Sequence, residues 1–121
     1  MNKFELFTLI YFWLDHYYIE SSDDKILNFL SEMNPFLWEE AGSADPALYE
    51  EFSVFINGKN ITLENSLELA KEYIQSIDYV DMTEALESVD SSRWQDGCRK
   101  YLALEHKGSN VSEQYRGESC I

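Results

Sequence analysis

The sequence is poor in the residues that carry most recognisable chemistry. It has 2 cysteines, 2 histidines, 2 prolines and 5 glycines among 121 residues, and only 9 Lys and Arg. Each scarcity removes a class of protein. Cys98 and Cys120 form no CxxC pair and no disulfide framework, so a reduced, cytoplasmic chain is expected. His16 and His106 stand far apart, in neither HExxH nor Glu-x-x-His spacing, and no zinc centre is expected from them. No Gly-rich loop follows a strand, so no phosphate cradle is visible, and no D-x-D-x-D-G loop offers itself to calcium. Long apolar runs are missing as well. The most apolar stretch, Phe4 to Ile19, is broken by Glu5, Thr8, Asp15 and His16. Its longest uninterrupted run, Leu9 to Leu14, falls far short of the roughly 20 residues that span a bilayer. Glu5 close behind Lys3 and the lack of an A-x-A site also tell against a signal peptide.

The shortage of base is the most informative. Nine basic residues face 23 acids, a formal net charge of -14. Such a chain repels nucleic acid, whose binders neutralise phosphates with Lys and Arg. It repels an anionic membrane surface for the same reason. A basic protein, by contrast, would be drawn to it. Solubility alone is the plainer explanation of acidity, but the distribution goes further. No base lies between Lys25 and Lys59, where Glu32, Glu39, Glu40, Asp45, Glu50 and Glu51 stand. None lies between Lys71 and Arg93, which enclose Glu72, Asp78, Asp81, Glu84, Glu87 and Asp90. Residues 1–92 hold 4 basic and 19 acidic side chains, and residues 93–121 hold 5 and 4. A surface built for solubility mixes its signs, because Glu–Lys pairs one turn apart support helices. Unrelieved acid repels itself, and a basic partner relieves it.

What the chain does have is a core. Hydrophobic residues make up 45% and aromatics 15%, enough for one folded domain without a metal or disulfide staple. Residues 3–20 predict a helix apolar nearly all round (Phe4, Phe7, Ile10, Tyr11, Leu14, Tyr17, Tyr18), the kind that lies in the middle of a bundle. Ser22 predicts the cap of a second helix, with Ile26, Phe29, Leu30 and Met33 inward and a stop at Asn34-Pro35. Asp45-Pro46 predicts a third start, with Leu48, Phe52 and Phe55 on one face and an exit at Asn57-Gly58. A β-hairpin over 52–62 is the competing reading of that segment. Thr62 predicts a fourth cap, followed by a stripe of Leu63, Leu67, Ala70, Ile74 and Ile77. Asp81-x-x-Glu84 resembles a capping box ahead of Met82, Ala85, Leu86 and Val89. A last helix is expected over Ser92 to His106, burying Trp94, Cys98, Tyr101 and Leu102 although Gly97 weakens it. The expectation is a mostly α, single-domain bundle of five to six helices over 1–107, with 108–121 as a flexible tail.

An enzyme is not expected. Cys98 falls on an apolar stripe as core filling, Cys120 is an exposed tail thiol, and His106 serves a helix C-terminus through the dipole. No catalytic residue, metal, cofactor or small-molecule substrate follows from the sequence. Aromatics beside acids point instead to a binding surface. Trp38 adjoins Glu39 and Glu40, and Tyr49 adjoins Glu50 and Glu51. Trp and Tyr anchors ringed by complementary charge hold much of the energy of protein interfaces, although Trp38 could equally close one end of the core. Together with Asp78, Asp81, Glu84, Glu87 and Asp90, these residues are the expected partner-binding set.

The segment Asn34 to Phe52, NPFLWEEAGSADPALYEEF, resembles small acidic immunity proteins of bacterial contact-dependent growth inhibition systems. The likeness covers about a sixth of the chain, and size, acidity and helical pattern agree elsewhere. It implies a cytoplasmic protein that binds one cognate basic toxin domain, a nuclease in the expected case, and covers its active site. It carries no catalytic residue over and no architecture, because such proteins differ widely in fold. The alternative is an acidic adaptor, or a DNA mimic that occludes a nucleic-acid-binding protein.

Overall fold

The computed structural model describes residues 1–108; the expected tail lies outside them but for Gly108. Asn2 opens helix α1, Lys3–Tyr17. Its side chain accepts the Glu5 N–H at 2.8 Å, while its own N–H donates to the Glu5 carboxylate at 2.8 Å. That reciprocal pair satisfies two N–H groups that a helix start otherwise leaves open. Every residue from Phe4 to Ile10 is buried, and so are Phe12, Trp13 and Leu14. Buried nearly all round until Asp15, His16 and Tyr17 emerge at its end, α1 becomes the axis on which α2, α3, α4 and α6 pack, as its apolar pattern predicts.

Helix α2, Asp24–Met33, is capped by Asp23 and not by Ser22. The Asp23 carboxylate accepts from the N–H groups of Lys25 at 2.9 Å and Ile26 at 3.4 Å. Ile26, Phe29, Leu30 and Met33 face inward. Helix α3, Pro46–Ile56, begins as expected, with Asp45 accepting from Ala47 N–H at 3.1 Å and proline in the first turn. The hairpin reading gives way to helix. Leu48, Phe52 and Ile56 make the buried face at four-residue spacing, and Gly58 leaves it at a left-handed φ of 79°.

Helix α4, Ser66–Ser76, starts later than Thr62 would have it. Thr62 and Asn65 exchange hydrogen bonds of 2.8 and 3.1 Å, closing a turn ahead of the helix. The buried stripe is therefore Ser66, Leu69, Ala70, Tyr73 and Ile74, while Leu63, Leu67 and Ile77 are half-exposed on the flank. Tyr73 takes the central place because the rings of Phe52 and Phe55 receive it, at 4.8 and 5.6 Å between centroids. Short helix α5, Thr83–Ser88, follows an Asp81 that binds the Thr83 N–H (3.0 Å) and hydroxyl (2.6 Å) in place of a capping box with Glu84.

Helix α6, Ser91–Ala103, is capped by Asp90 and ends three residues before His106. Trp94 meets Trp13 of α1 edge to face at 5.8 Å and donates its indole N–H to Ser66 Oγ at 2.8 Å. Cys98 lies fully buried beside Ser66 as the expected core filler, and burial pushes its thiol up to about 11 from the usual 9.0. The folded state thus keeps a proton that the unfolded chain sheds across about pH 9 to 11. That contribution to stability is complete below the lower value and is lost as pH rises through the upper one. Urea unfolding should show stability falling across this window, less steeply in Cys98→Ala. An equal slope in the variant would show that Cys98 is not the titrating group.

The described residues form a small all-α domain of six helices without a strand. No helix among them is long and apolar enough to cross a membrane.

Candidate partner-binding face

Two places bring aromatic and acidic side chains together. The first is the connection between α2 and α3. It closes on itself through Ala44 N–H to Asn34 O at 2.8 Å and Asp45 N–H to Glu32 O at 2.9 Å. Within it Trp38 donates its indole N–H to Ser43 O at 2.9 Å. Its ring nevertheless stays 46% exposed, beside Leu37 at 60%. The expected alternative, Trp38 as a closed end of the core, is therefore not what the chain builds. Glu39 and Glu40 are exposed next to it, as are Glu50 and Glu51 on α3. Tyr49 is placed differently. Its half-buried ring meets Phe4 and Phe7 edge-on at 5.7 and 5.1 Å, under the Lys3 ammonium at 5.8 Å. Burial pushes its hydroxyl up to about 12, against a hydrogen bond with Ser53 that lowers it. Tyr49 ties α3 to α1 more than it faces solvent.

The floor of this connection comes from a residue outside the expected set. After α6 the chain turns back, and Lys107 is buried with its ammonium donating to the carbonyls of Pro35 and Trp38. The ammonium also stands 5.2 Å over the Phe4 ring. Desolvation lowers its pKa, and the Glu40 carboxylate offsets part of that. Lys107→Met keeps the apolar stem and removes the donors. It should cost about 1–3 kcal/mol, the usual penalty for leaving buried carbonyls unmet. Hydrogen exchange at the Trp38 indole should speed markedly while that at Trp94 stays slow. Unchanged exchange at Trp38 would show that the loop holds itself.

The second place centres on Tyr79, in the link between α4 and α5. Its ring is 54% exposed and lies 6.2 Å from that of Phe29 on α2. Partial burial raises its pKa, and the carboxylates of Glu51, Glu32, Asp45 and Asp78 raise it further. Three of these acids come from the first base-free stretch and one from the second. Acids from both base-free stretches thus act electrostatically on one aromatic. Tyr79, Glu32 and Asp45 were outside the expected partner-binding set. Tyr79 carries the same signal as Trp38, an aromatic flanked by acid (Asp78 and Asp81), and could have been found by it.

The rest of the second stretch disperses. Asp81 and Glu84 line an open cleft with Tyr17, Tyr18, Glu20, Ser21, Asp23 and Ile26. Hydrogen bonds from the Thr83 side chain and backbone hold the Asp81 pKa below its ordinary value. Glu87 is exposed at the end of α5. Asp90 is occupied as the α6 cap, at 2.9 Å from Ser92 N–H. It borders a small hollow with Trp13, His16, Arg93 and Trp94. Asp81, Glu84 and Asp90 thus stand in settings other than that of Tyr79.

Charge compensation inside the fold is sparse. Among the described residues, one Lys/Arg–carboxylate pair comes within ion-pair distance, the exposed Arg99–Asp96 at 3.3 Å. A second pair joins His106 to Glu5. No group of three His, Cys, Asp or Glu side chains among them is placed to hold a metal ion. Exposed acids whose charge reaches an exposed tyrosine are chemistry suited to cations presented by another molecule. No protein-family model matches the chain, and neither does any curated protein or any solved structure.

Proposed function

We propose that the protein is an immunity protein: in the cytoplasm it binds a cognate basic toxin domain, a nuclease in the first instance, and blocks its active site. One observation carries this most, the exposed ring of Tyr79 in the field of Glu51, Glu32, Asp45 and Asp78, whose charges raise its pKa beyond what burial does. A nuclease cleft holds phosphates with Lys, Arg and His, and carboxylates can occupy the same positions. The acid is left largely uncompensated within the described fold, a self-repulsion that a basic surface would relieve. The exposed Leu37 and Trp38 add an apolar contact beside Glu39 and Glu40. Inhibition by coverage needs no catalytic group, cofactor or metal in this chain. The test is co-expression with the product of the gene immediately upstream, scoring survival and complex formation at low salt. Survival together with a stable complex is the expected result. A harmless upstream product, or no complex, ends the immunity role and leaves an acidic adaptor in its place.

A further inference from the structure

The last turn of α1, the α5–α6 link and the first turn of α6 enclose a hollow of about 100 Å³ that shares no residue with the Tyr79 face. Its walls are the indoles of Trp13 and Trp94, 5% and 1% exposed, with Val89 and the Tyr17 ring beside them. Benzene occupies an apolar cavity of roughly 150 Å³ in a protein core, so this smaller hollow, open at its mouth, suits one ring seated partly outside. The polar groups around it divide in two. Asp90 and Ser88 are engaged elsewhere, Asp90 accepting the Ser92 N–H at 2.9 Å and the Ser88 hydroxyl donating to Ala85 O at 3.1 Å. Arg93 and His16 are exposed at the mouth, and no carboxylate comes within ion-pair distance of either among the described residues. The Trp13 indole N–H also lacks a hydrogen-bond partner among them, whereas that of Trp94 donates to Ser66 Oγ. A buried indole N–H ordinarily finds an acceptor. That of Trp13 is not one of the sealed polar atoms without a partner, which are Thr8 Oγ1 and Tyr73 OH. It therefore keeps an opening, and the opening that Trp13 lines is this hollow.

We propose that this hollow binds a small aromatic carboxylate, its ring against the two indoles and its carboxylate on Trp13 N–H and Arg93. The apolar walls hold the ring by dispersion and edge-to-face contact. The unmet donors hold the carboxylate, which the planar fork of a guanidinium matches in shape as well as charge. A cation at the same place would face Arg93 and leave the Trp13 N–H unmet. A basic partner is therefore not the occupant, and the site stands whether or not the immunity role holds. The net charge of -14 opposes an anion at long range. A Debye length of about 8 Å at physiological salt confines that repulsion to near neighbours. The acid that lines the hollow, Asp90, is turned to the first turn of α6.

The test uses the full chain with 15N-labelled indoles and sodium benzoate as probe, with benzamide as its neutral match. Benzoate should move the Trp13 indole signal and leave that of Trp38, tied to Ser43 O in the α2–α3 connection, where it is. It should bind about tenfold more tightly than benzamide, the margin of a hydrogen bond to a charged group. Arg93→Met changes an exposed side chain; it should erase that preference and leave benzamide binding as it was. Saturating benzoate should also raise the melting temperature of the unaltered chain. A Trp13 signal that stays still, or equal binding of the two probes, overturns the site. So does an Arg93→Met variant that keeps the preference. Movement of Trp13 by N-acetyl-leucinamide but not by benzoate gives the hollow to an apolar side chain of a protein partner, and overturns it as well.

Discussion

Replacing His106 by alanine should destabilise the domain by about 3 kcal/mol, the cost of removing one partner from a buried, hydrogen-bonded pair of titratable groups. That is a large share of the roughly 5–15 kcal/mol that holds a domain together. The geometry explains the size. His106 Nδ1 lies 2.7 Å from the Leu104 carbonyl oxygen, which can only accept, so Nδ1 carries a proton. Nε2 then faces Glu5 Oε2 at 2.7 Å with a second proton between them. Both residues are buried, and the ring stacks on Tyr101 at 4.1 Å. Glu5 is already engaged through its other oxygen, which accepts the Asn2 N–H. Asn2 in turn donates to Gly108 O at 2.6 Å, where a φ of 87° and the nearby Phe4 ring leave no room for a side chain. One cluster therefore fastens both ends of the described chain to the start of α1. Alanine leaves the Glu5 carboxylate buried beside an empty space. Glu5→Leu combined with His106→Ala leaves no stranded charge and should recover part of the loss, and urea denaturation of the two single variants and the double measures the coupling. A single-mutant loss below about 1 kcal/mol would mean the pair is satisfied by water.

That cluster also marks where the sequence stops being legible. The all-round apolar pattern of residues 3–20 leads directly to a central helix, because periodicity records which faces are buried. Asp45-Pro46 likewise fixes the start of α3, because a cap is a local bargain within four residues. His106 reads as a helix-end histidine for the same local reason, yet α6 ends at Ala103 and His106 is buried against Glu5. Its partner is 101 residues away, and that of Lys107 at Pro35 is 72 away. Nothing in spacing reports such pairs. The α4 stripe fails by a similar route. Leu67 and Ile77 are as apolar as Leu69 and Ile74, and only the rings of Phe52 and Phe55 decide that Tyr73 faces in. The candidate face is intermediate. Its acids stand out in the base-free stretches, but their meeting at Tyr79 depends on how α2, α3 and the α4–α5 link pack.

Reversing Glu32, Glu51 and Asp78 to lysine together should weaken binding of the basic partner by several kcal/mol, since losing one paired interface charge commonly costs about 2–5 kcal/mol. Asp45 is left out because its carboxylate caps α3, and its reversal would confound binding with folding. All three chosen residues are exposed. Removing like charges around Tyr79 relieves repulsion, so thermal stability should hold or rise. A control reversing exposed Glu64, Glu68 and Glu105 changes net charge equally, away from Tyr79's acidic neighbours. Long-range attraction depends on total charge, whereas contact depends on place. The control should therefore slow association modestly and leave dissociation unchanged, while the Tyr79-face triple raises the dissociation rate as well. Reversing Glu39 and Glu40 separately asks whether the Trp38 loop belongs to the same interface. If it does, dissociation accelerates there too. Added salt should slow association of the unaltered protein far more than it speeds dissociation. Equal effects of the face triple and its control would reduce the acid to bulk attraction and remove Tyr79 from the interface.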